Sequence, residues 1–197
     1  MKKRAVFLDR DGTLNEDVGY PGLYSQVHIY PFSFEAVRKI NAAGLLAVVI
    51  TNQSGVGRGY FTEAALRKLH RQMSQEFTGR QARLDAIYYC PHYAESGLHE
   101  YRLDCTCRKP FPGLALRAAR ELDIDLHRSY MIGDKVEDIL FGRNIGARPI
   151  LVLTGFGRQS QERLREEKIE PAIICPTVLE ATDWILEVEL GKTSAQG

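Results

Sequence analysis

Asp9 and Asp11 stand two residues apart in DRDGTLN, directly after the apolar run Ala5 to Leu8, and Gly12 follows for a sharp turn. Two carboxylates on one rim suit either a divalent metal or a nucleophile with an acid beside it. A calcium loop is the competing reading, and spacing excludes it. An EF-hand counted from Asp9 puts Leu14 where the turn glycine belongs and Tyr20 where the bidentate glutamate belongs. Further along, GDKVED places Asp134 directly after Gly133, a second candidate Mg²⁺ ligand, with Asp138 one helical turn on. Both acids would also satisfy a helix N-terminus, and for Asp138 the two readings stay open.

TNQSGVGRGY offers Thr51, Asn52, Gln53 and Ser54 together with glycine backbone N–H groups, the donors that an oxyanion such as phosphate needs. It is not a dinucleotide fingerprint, because the third glycine falls one place early, at Gly59. Nor is it a P-loop, since no Gly-Lys-Ser/Thr follows these glycines. Arg108 and Lys109, in CRKP, supply cations to face an anion.

Cys90, His92, Cys105 and Cys107 give Cys-x-His, twelve intervening residues, then Cys-x-Cys. That is a complete set for tetrahedral Zn²⁺, and with four protein ligands no position is left for a catalytic water, so the site reads as structural. A redox pair, a disulfide or unrelated surface thiols are the alternatives. Cys-x-Cys is not the thioredoxin spacing, and a histidine partner would be idle in any of the three. Cys175 follows the apolar run Ala172 to Ile174 and reads as a small buried hydrophobe. His28, His70, His99 and His127 have no comparable neighbours and read as surface or packing residues, and Trp184 reads as a packing anchor.

These groups need a frame that brings distant segments together. Strand-like runs at Arg4 to Leu8, Leu45 to Ile50, Ala86 to Tyr89, Tyr130 to Ile132 and Ile150 to Leu153 alternate with helical patterns. The patterns cover Phe34 to Ala43 with Ser33 as N-cap, a stripe of Leu66, Leu69, Met73 and Phe77 capped by Thr62, then 113–122 and 136–145. A last helix carries Thr177 and Glu180 as a capping box. Such alternation predicts an α/β fold, a Rossmann-like parallel sheet with helices on both faces. Ligands of such sheets sit at the carboxyl ends of the strands, where the acids and the TNQSG segment fall.

The 197 residues, 44% hydrophobic and 26% charged, suit a single domain over 1–190, with the Cys/His insertion at about 90–108 and a flexible tail at 191–197. A net charge of +1 supplies no long-range field toward nucleic acid or an anionic membrane, so an anionic partner must be met by a local pocket. The apolar run behind the basic start is too short for a signal peptide, which predicts a cytoplasmic protein. Without a coiled-coil pattern the expected state is a monomer.

DRDGT, TNQSG, Lys109 and GDKVED resemble, in order and at compatible spacing, the four motifs of the haloacid dehalogenase-like phosphohydrolases, over roughly residues 4–190. The resemblance implies that Asp9 is the nucleophile that forms an aspartyl phosphate and that Asp11 is the acid and then the base. It implies Mg²⁺ held by Asp9, the Asp11 backbone carbonyl and Asp134. Thr51 and Lys109 would bind the transferring oxygens, Arg108 would recognise the substrate and Lys135 would assist. Asp17, Val18, Gly19 and Tyr20, with Asn52, Gln53 and Ser54, would line the sugar site. No run is long enough for a separate cap domain.

Within the superfamily the Cys/His insertion and CRKP resemble the phosphatases of sugar bisphosphates and a neighbouring branch that acts on histidinol phosphate. GVGRGYF favours the former. The rival from another class is a non-enzymatic zinc-bearing binding module, against which stand the near-zero net charge and the lack of a basic stripe.

Overall fold

The structure is a computed structural model and describes residues 2–95 and 97–191. The tail expected at 191–197 lies, beyond Gly191, outside the described residues. Six strands form one parallel sheet: β1 (Ala5–Leu8), β2 (Leu46–Asn52), β3 (Ala86–Cys90), β4 (Tyr130–Gly133), β5 (Arg148–Val152) and β6 (Ile173–Cys175). Their order across the sheet is β3-β2-β1-β4-β5-β6.

Runs such as AVFL and LAVVITN are apolar at almost every position because a parallel sheet is covered on both faces. Val6 and Leu8 face one layer, with Val49, Ile132 and Ile150, against α1 (Pro31–Ala42) and α7 (Val178–Glu189). Ala5 and Phe7 face the other, with Val48, Ile50 and Met131, against α4 (Gly113–Leu122) and α5 (Val136–Asn144). Each large side chain buried in this way contributes about 1.5–3 kcal/mol relative to exposure. Val37 and Ile40 of α1 and Ile185 of α7 are fully buried, so the helical spacing read from the sequence is what seats these helices.

The central strand fixes the site. β1 pairs with β2 on one side and β4 on the other, so three strand ends lie side by side where the chain changes its direction of winding across the sheet. Asp9 N–H donates to the Ile132 carbonyl at 2.9 Å, which carries the ladder one residue past β1 and sets the first acid on the rim.

Several local expectations are corrected. Ser33 is not the N-cap of α1; Tyr30 takes that place and Pro31 opens the helix three residues before the expected Phe34, while the Ser33 hydroxyl donates to the Leu14 carbonyl at 2.8 Å. The segment after β2 is not all loop, since Ser54–Gly57 forms the one-turn helix α2. The long α3 (Glu63–Gly79) follows with Thr62 accepting from the Ala65 N–H at 3.1 Å, as expected. β5 begins two residues before the expected Ile150. Helix α6 (Gly157–Glu166) and strand β6 complete the fold. Cys175 is buried at the end of β6, and Trp184 packs edge-on to Tyr130 with ring centroids 6.5 Å apart.

Candidate active site

The carboxyl ends of β1, β2 and β4 open into a cavity of about 680 Å³ lined by acids, cations and amides. Asp9 is almost fully buried, and its Oδ1 receives the Lys109 ammonium at 2.7 Å. The same Nζ reaches Asp138 Oδ1 at 2.6 Å and the Ile50 carbonyl at 2.9 Å. Burial opposes the charge on Lys109, but Asp138 and Asp9 outweigh it and raise its pKa, so the lysine stays an ammonium.

Asp134 is buried beside them. Its Oδ2 accepts from the Phe156 N–H at 2.8 Å, whereas its Oδ1 is buried with no hydrogen-bond partner. Burial pushes its carboxyl up to about 8, and the neighbouring Asp9 and Asp138 push the same way. Oxygens of Asp9, Asp134 and Asp138 lie within 4.8 Å of one another. Three buried carboxylates around one orphaned oxygen, with hard oxygen donors throughout, fit a divalent cation such as Mg²⁺.

The glycines of this region are there for Asp134. Gly12 adopts φ +86°, and a Cβ on it would lie 2.2 Å from Asp134 Oδ2. At Gly155, φ +54°, the approach to the same oxygen would be 2.3 Å. The backbone must pass this close for Phe156 N–H to reach the carboxylate, so neither position tolerates a side chain.

Asp11 lines the cavity but is engaged by a buried network. The Arg10 guanidinium, fully buried, grips it through Nε at 3.0 Å and Nη2 at 2.7 Å, and Asn15 and Gln53 amides donate to it at 3.0 and 2.8 Å. Burial would raise its pKa, yet Arg10, Asn15 and Gln53 together lower it. Held this way Asp11 is a carboxylate, the state of a base. Service as an acid requires its carboxyl to turn off the Arg10 fork toward the cavity.

The second-strand residues tie the others together. Gln53 Nε2 bridges Asp11 Oδ2 and Thr51 Oγ1 at 2.8 and 2.9 Å. Asn52 Oδ1 accepts from the Lys109 N–H at 3.0 Å, and its Nδ2 donates to the Lys109 carbonyl at 3.2 Å. Thr51, Ser54, Arg108, Asp17, Gly19 and Tyr20 also line the cavity, as does Lys135, whose Nζ meets Asp17 Oδ2 at 2.8 Å. Val18 does not line it and is 44% exposed.

Sequence reasoning missed Arg10, the convergence of Asp138 on Lys109, and the loop after β5 that brings Gly155 and Phe156 over Asp134. The last was open to the strand-end rule, because TGF directly follows the strand-like run Ile150 to Leu153.

The four Cys/His residues also converge, with all the cysteines free. Cys107 Sγ lies 2.9 Å from Cys90 Sγ and 3.3 Å from Cys105 Sγ, and His92 Nδ1 lies 3.2 Å from Cys107 Sγ. These edges are somewhat shorter than the roughly 3.8 Å of a tetrahedron with ~2.3 Å Zn–S arms, so a bound ion would spread the cage slightly. The Cys90–Cys107 contact favours one thiolate in the cluster: the hydrogen bonds of Cys90, Cys105 and His92 lower the pKa of Cys107, while the contact with Cys107 and burial raise that of Cys90. Among the described residues no helix is long and apolar enough to cross a membrane.

A HAD-hydrolase-like family model matches residues 106–181, the part that carries Lys109, Asp134 and Asp138. The parallel sheet with its rim of aspartates is thus that of a haloacid dehalogenase-like hydrolase. The D-glycero-β-D-manno-heptose-1,7-bisphosphate 7-phosphatase of Pasteurella multocida (strain Pm70) is 49% identical over 154 residues, 78% of this chain and 83% of the relative. The enzyme of that name from Escherichia coli (strain K12) is 40% identical over 184 residues, 92% and 87% of the two chains. Among solved structures, the D,D-heptose 1,7-bisphosphate phosphatase of B. bronchiseptica, complexed with magnesium and phosphate, superposes with a TM-score of 0.82 at 31% identity, covering 94% of this chain and 99% of that one. The chain belongs to the haloacid dehalogenase-like hydrolase family and is a phosphatase.

Proposed function

We propose that the enzyme removes the 7-phosphate of D-glycero-β-D-manno-heptose 1,7-bisphosphate through an aspartyl phosphate on Asp9. The observation that carries the reading is the convergence of Asp9, Asp134 and Asp138 with the Lys109 ammonium at the ends of β1 and β4. Relatives that are 40–49% identical supply the substrate class.

In the first half-reaction an Asp9 oxygen attacks phosphorus in line, and the bond to the sugar oxygen breaks. Asp11, protonated, gives its proton to that leaving oxygen. In the second, Asp11 takes a proton from water, the water oxygen attacks phosphorus, and the Asp9–phosphorus bond breaks to release inorganic phosphate. Lys109 and Thr51 steady the transferring oxygens, a contribution of several kcal/mol in a preorganised site. Gln53, bonded to both Asp11 and Thr51, sets the proton donor against the phosphoryl site. Mg²⁺, held by Asp9, Asp134 and the Asp11 backbone carbonyl, would offset repulsion between the Asp9 carboxylate and the phosphate dianion.

Arg108 and Lys135 stand on the cavity wall as cations for the remainder of the substrate, with Asp17, Gly19, Tyr20 and Ser54 around the sugar. The Cys90, His92, Cys105 and Cys107 cage would hold a structural Zn²⁺, and residues 1–190 would act as one phosphatase domain, monomeric and cytoplasmic.

The test is Mg²⁺-dependent phosphate release from the two anomers of the bisphosphate and from histidinol phosphate. Highest kcat/KM on the β-anomer supports the reading. Preference for histidinol phosphate would move the enzyme to that branch, and silence across the panel together with affinity for a polymer would make it a binding module.

A further inference from the structure

Arg58 follows α2 and points into a gap between two segments that are far apart in sequence. Its guanidinium carbon lies 3.7 Å from the centroid of the Tyr93 ring and 5.6 Å from that of Tyr20. Tyr93 sits in the loop that carries the Cys/His cage, and Tyr20 lines the catalytic cavity. The Arg58 Nε is buried without a hydrogen-bond partner, and the guanidinium lies over the Tyr93 ring.

The backbone beside it is tied to the same loop. Gly57 N–H donates to the Pro91 carbonyl at 3.0 Å, and Leu98 N–H donates to the Gly57 carbonyl at 2.7 Å. On the cavity side Tyr60 meets Tyr20 edge-on at 4.9 Å. A Cβ on Gly55 would come within 2.6 Å of the Phe61 ring and 3.1 Å of Tyr20, so α2 and the Tyr20 segment are packed in direct contact. A continuous chain of contacts therefore runs from the Cys/His loop through Tyr93 and Arg58 to Tyr20.

We propose that Arg58 is a positioning residue for substrate: stacked on Tyr93, it holds Tyr20 and the Asp17–Gly22 segment in the shape that receives the sugar, so that the Cys/His loop sets the cavity wall from behind. The role rests on the proposed sugar bisphosphate activity. It requires the planar guanidinium, because a lysine ammonium cannot lie flat between two rings.

The experiment compares parent, Arg58→Ala, Arg58→Lys and Tyr93→Leu by steady-state kinetics on the heptose bisphosphate and by hydrogen–deuterium exchange over residues 17–23. Expected is a KM raised about fivefold to tenfold in all three, the size of a lost partly buried cation–π contact, with kcat within about twofold of the parent. Faster exchange at 17–23 should accompany it. Combining Arg58→Ala with Tyr20→Ala should raise KM no further than Tyr20→Ala alone. A parental KM in Arg58→Ala, additive KM effects, or a fall in kcat with KM unchanged would each overturn the proposal. If the parent fails to turn over the bisphosphate, the substrate reading falls. Exchange then decides: faster exchange at 17–23 in Arg58→Ala or Tyr93→Leu sustains the positioning of this segment, and parental exchange in both refutes it.

Discussion

The Asn52 side-chain amide closes a two-point hydrogen bond on the Lys109 backbone, accepting from its N–H at 3.0 Å and donating to its carbonyl at 3.2 Å. The end of β2 thereby fixes the residue whose ammonium spans Asp9 and Asp138. Position in this site is set by backbone clamps as much as by the charged groups themselves.

Asn52→Ala removes both bonds and frees Lys109 to shift along the cavity wall. A loss of kcat of about ten- to hundredfold is expected, since misplacement by an ångström costs on the order of a hundredfold. Stability should fall by about 1–2 kcal/mol, the net worth of two hydrogen bonds. Steady-state kinetics together with denaturant melts would check both, and a parental kcat would show that Lys109 needs no such clamp.

Asp9→Asn should abolish turnover while the fold persists, because an amide oxygen is not a nucleophile and the new side chain is isosteric. Circular dichroism and phosphate release measure the two halves of that statement. Asp138→Ala is expected to behave differently. It takes from the buried Lys109 ammonium both a charge and the oxygen that accepts its hydrogen bond, whereas Asp9→Asn keeps an accepting oxygen in place, so destabilisation of about 3 kcal/mol should accompany the loss of activity.

Five of the six strands were legible because short β-branched apolar runs bounded by turn residues favour a buried strand, and the acids at their ends followed from the sheet. Helix α6 was not, because GRQSQERLRE offers Leu164 as its one large apolar anchor and the segment carries no inward stripe. β6 spans only three residues, too few for a pattern. Ser33 misled because serine is a good cap in isolation, whereas here its hydroxyl is claimed by the Leu14 carbonyl, a contact 19 residues away. Arg10 shows the same limit within the site: nothing local tells that a charged residue between two aspartates is fully buried and forked onto one of them.

The Cys/His cage makes a prediction of composition and of coupling. One zinc per chain is expected by elemental analysis, and Cys105→Ser or strong chelation should lower both Tm and activity, because Cys107 is followed directly by Arg108 and Lys109. Metal-free protein with unchanged Tm would show that the four side chains converge without holding the loop.

His70 gives a pH signature distinct from catalysis. Its Nε2 lies 3.0 Å from Arg10 Nη1, and its ring is buried against Tyr89. Burial first, and then the Arg10 charge, depress its pKa to about 3 from an ordinary 6.5. The folded state therefore binds fewer protons than the unfolded chain between those values. The neutral ring's contribution to stability is complete above about pH 6.5 and is lost as pH falls toward 3, at up to about 1.4 kcal/mol per pH unit. His70→Gln offers Arg10 an amide oxygen that does not titrate. The variant should unfold less steeply with acid than the parent between pH 6.5 and 4, and chemical denaturation at a series of pH values reads that slope directly. Equal slopes would mean that His70 already takes up its proton in the folded state.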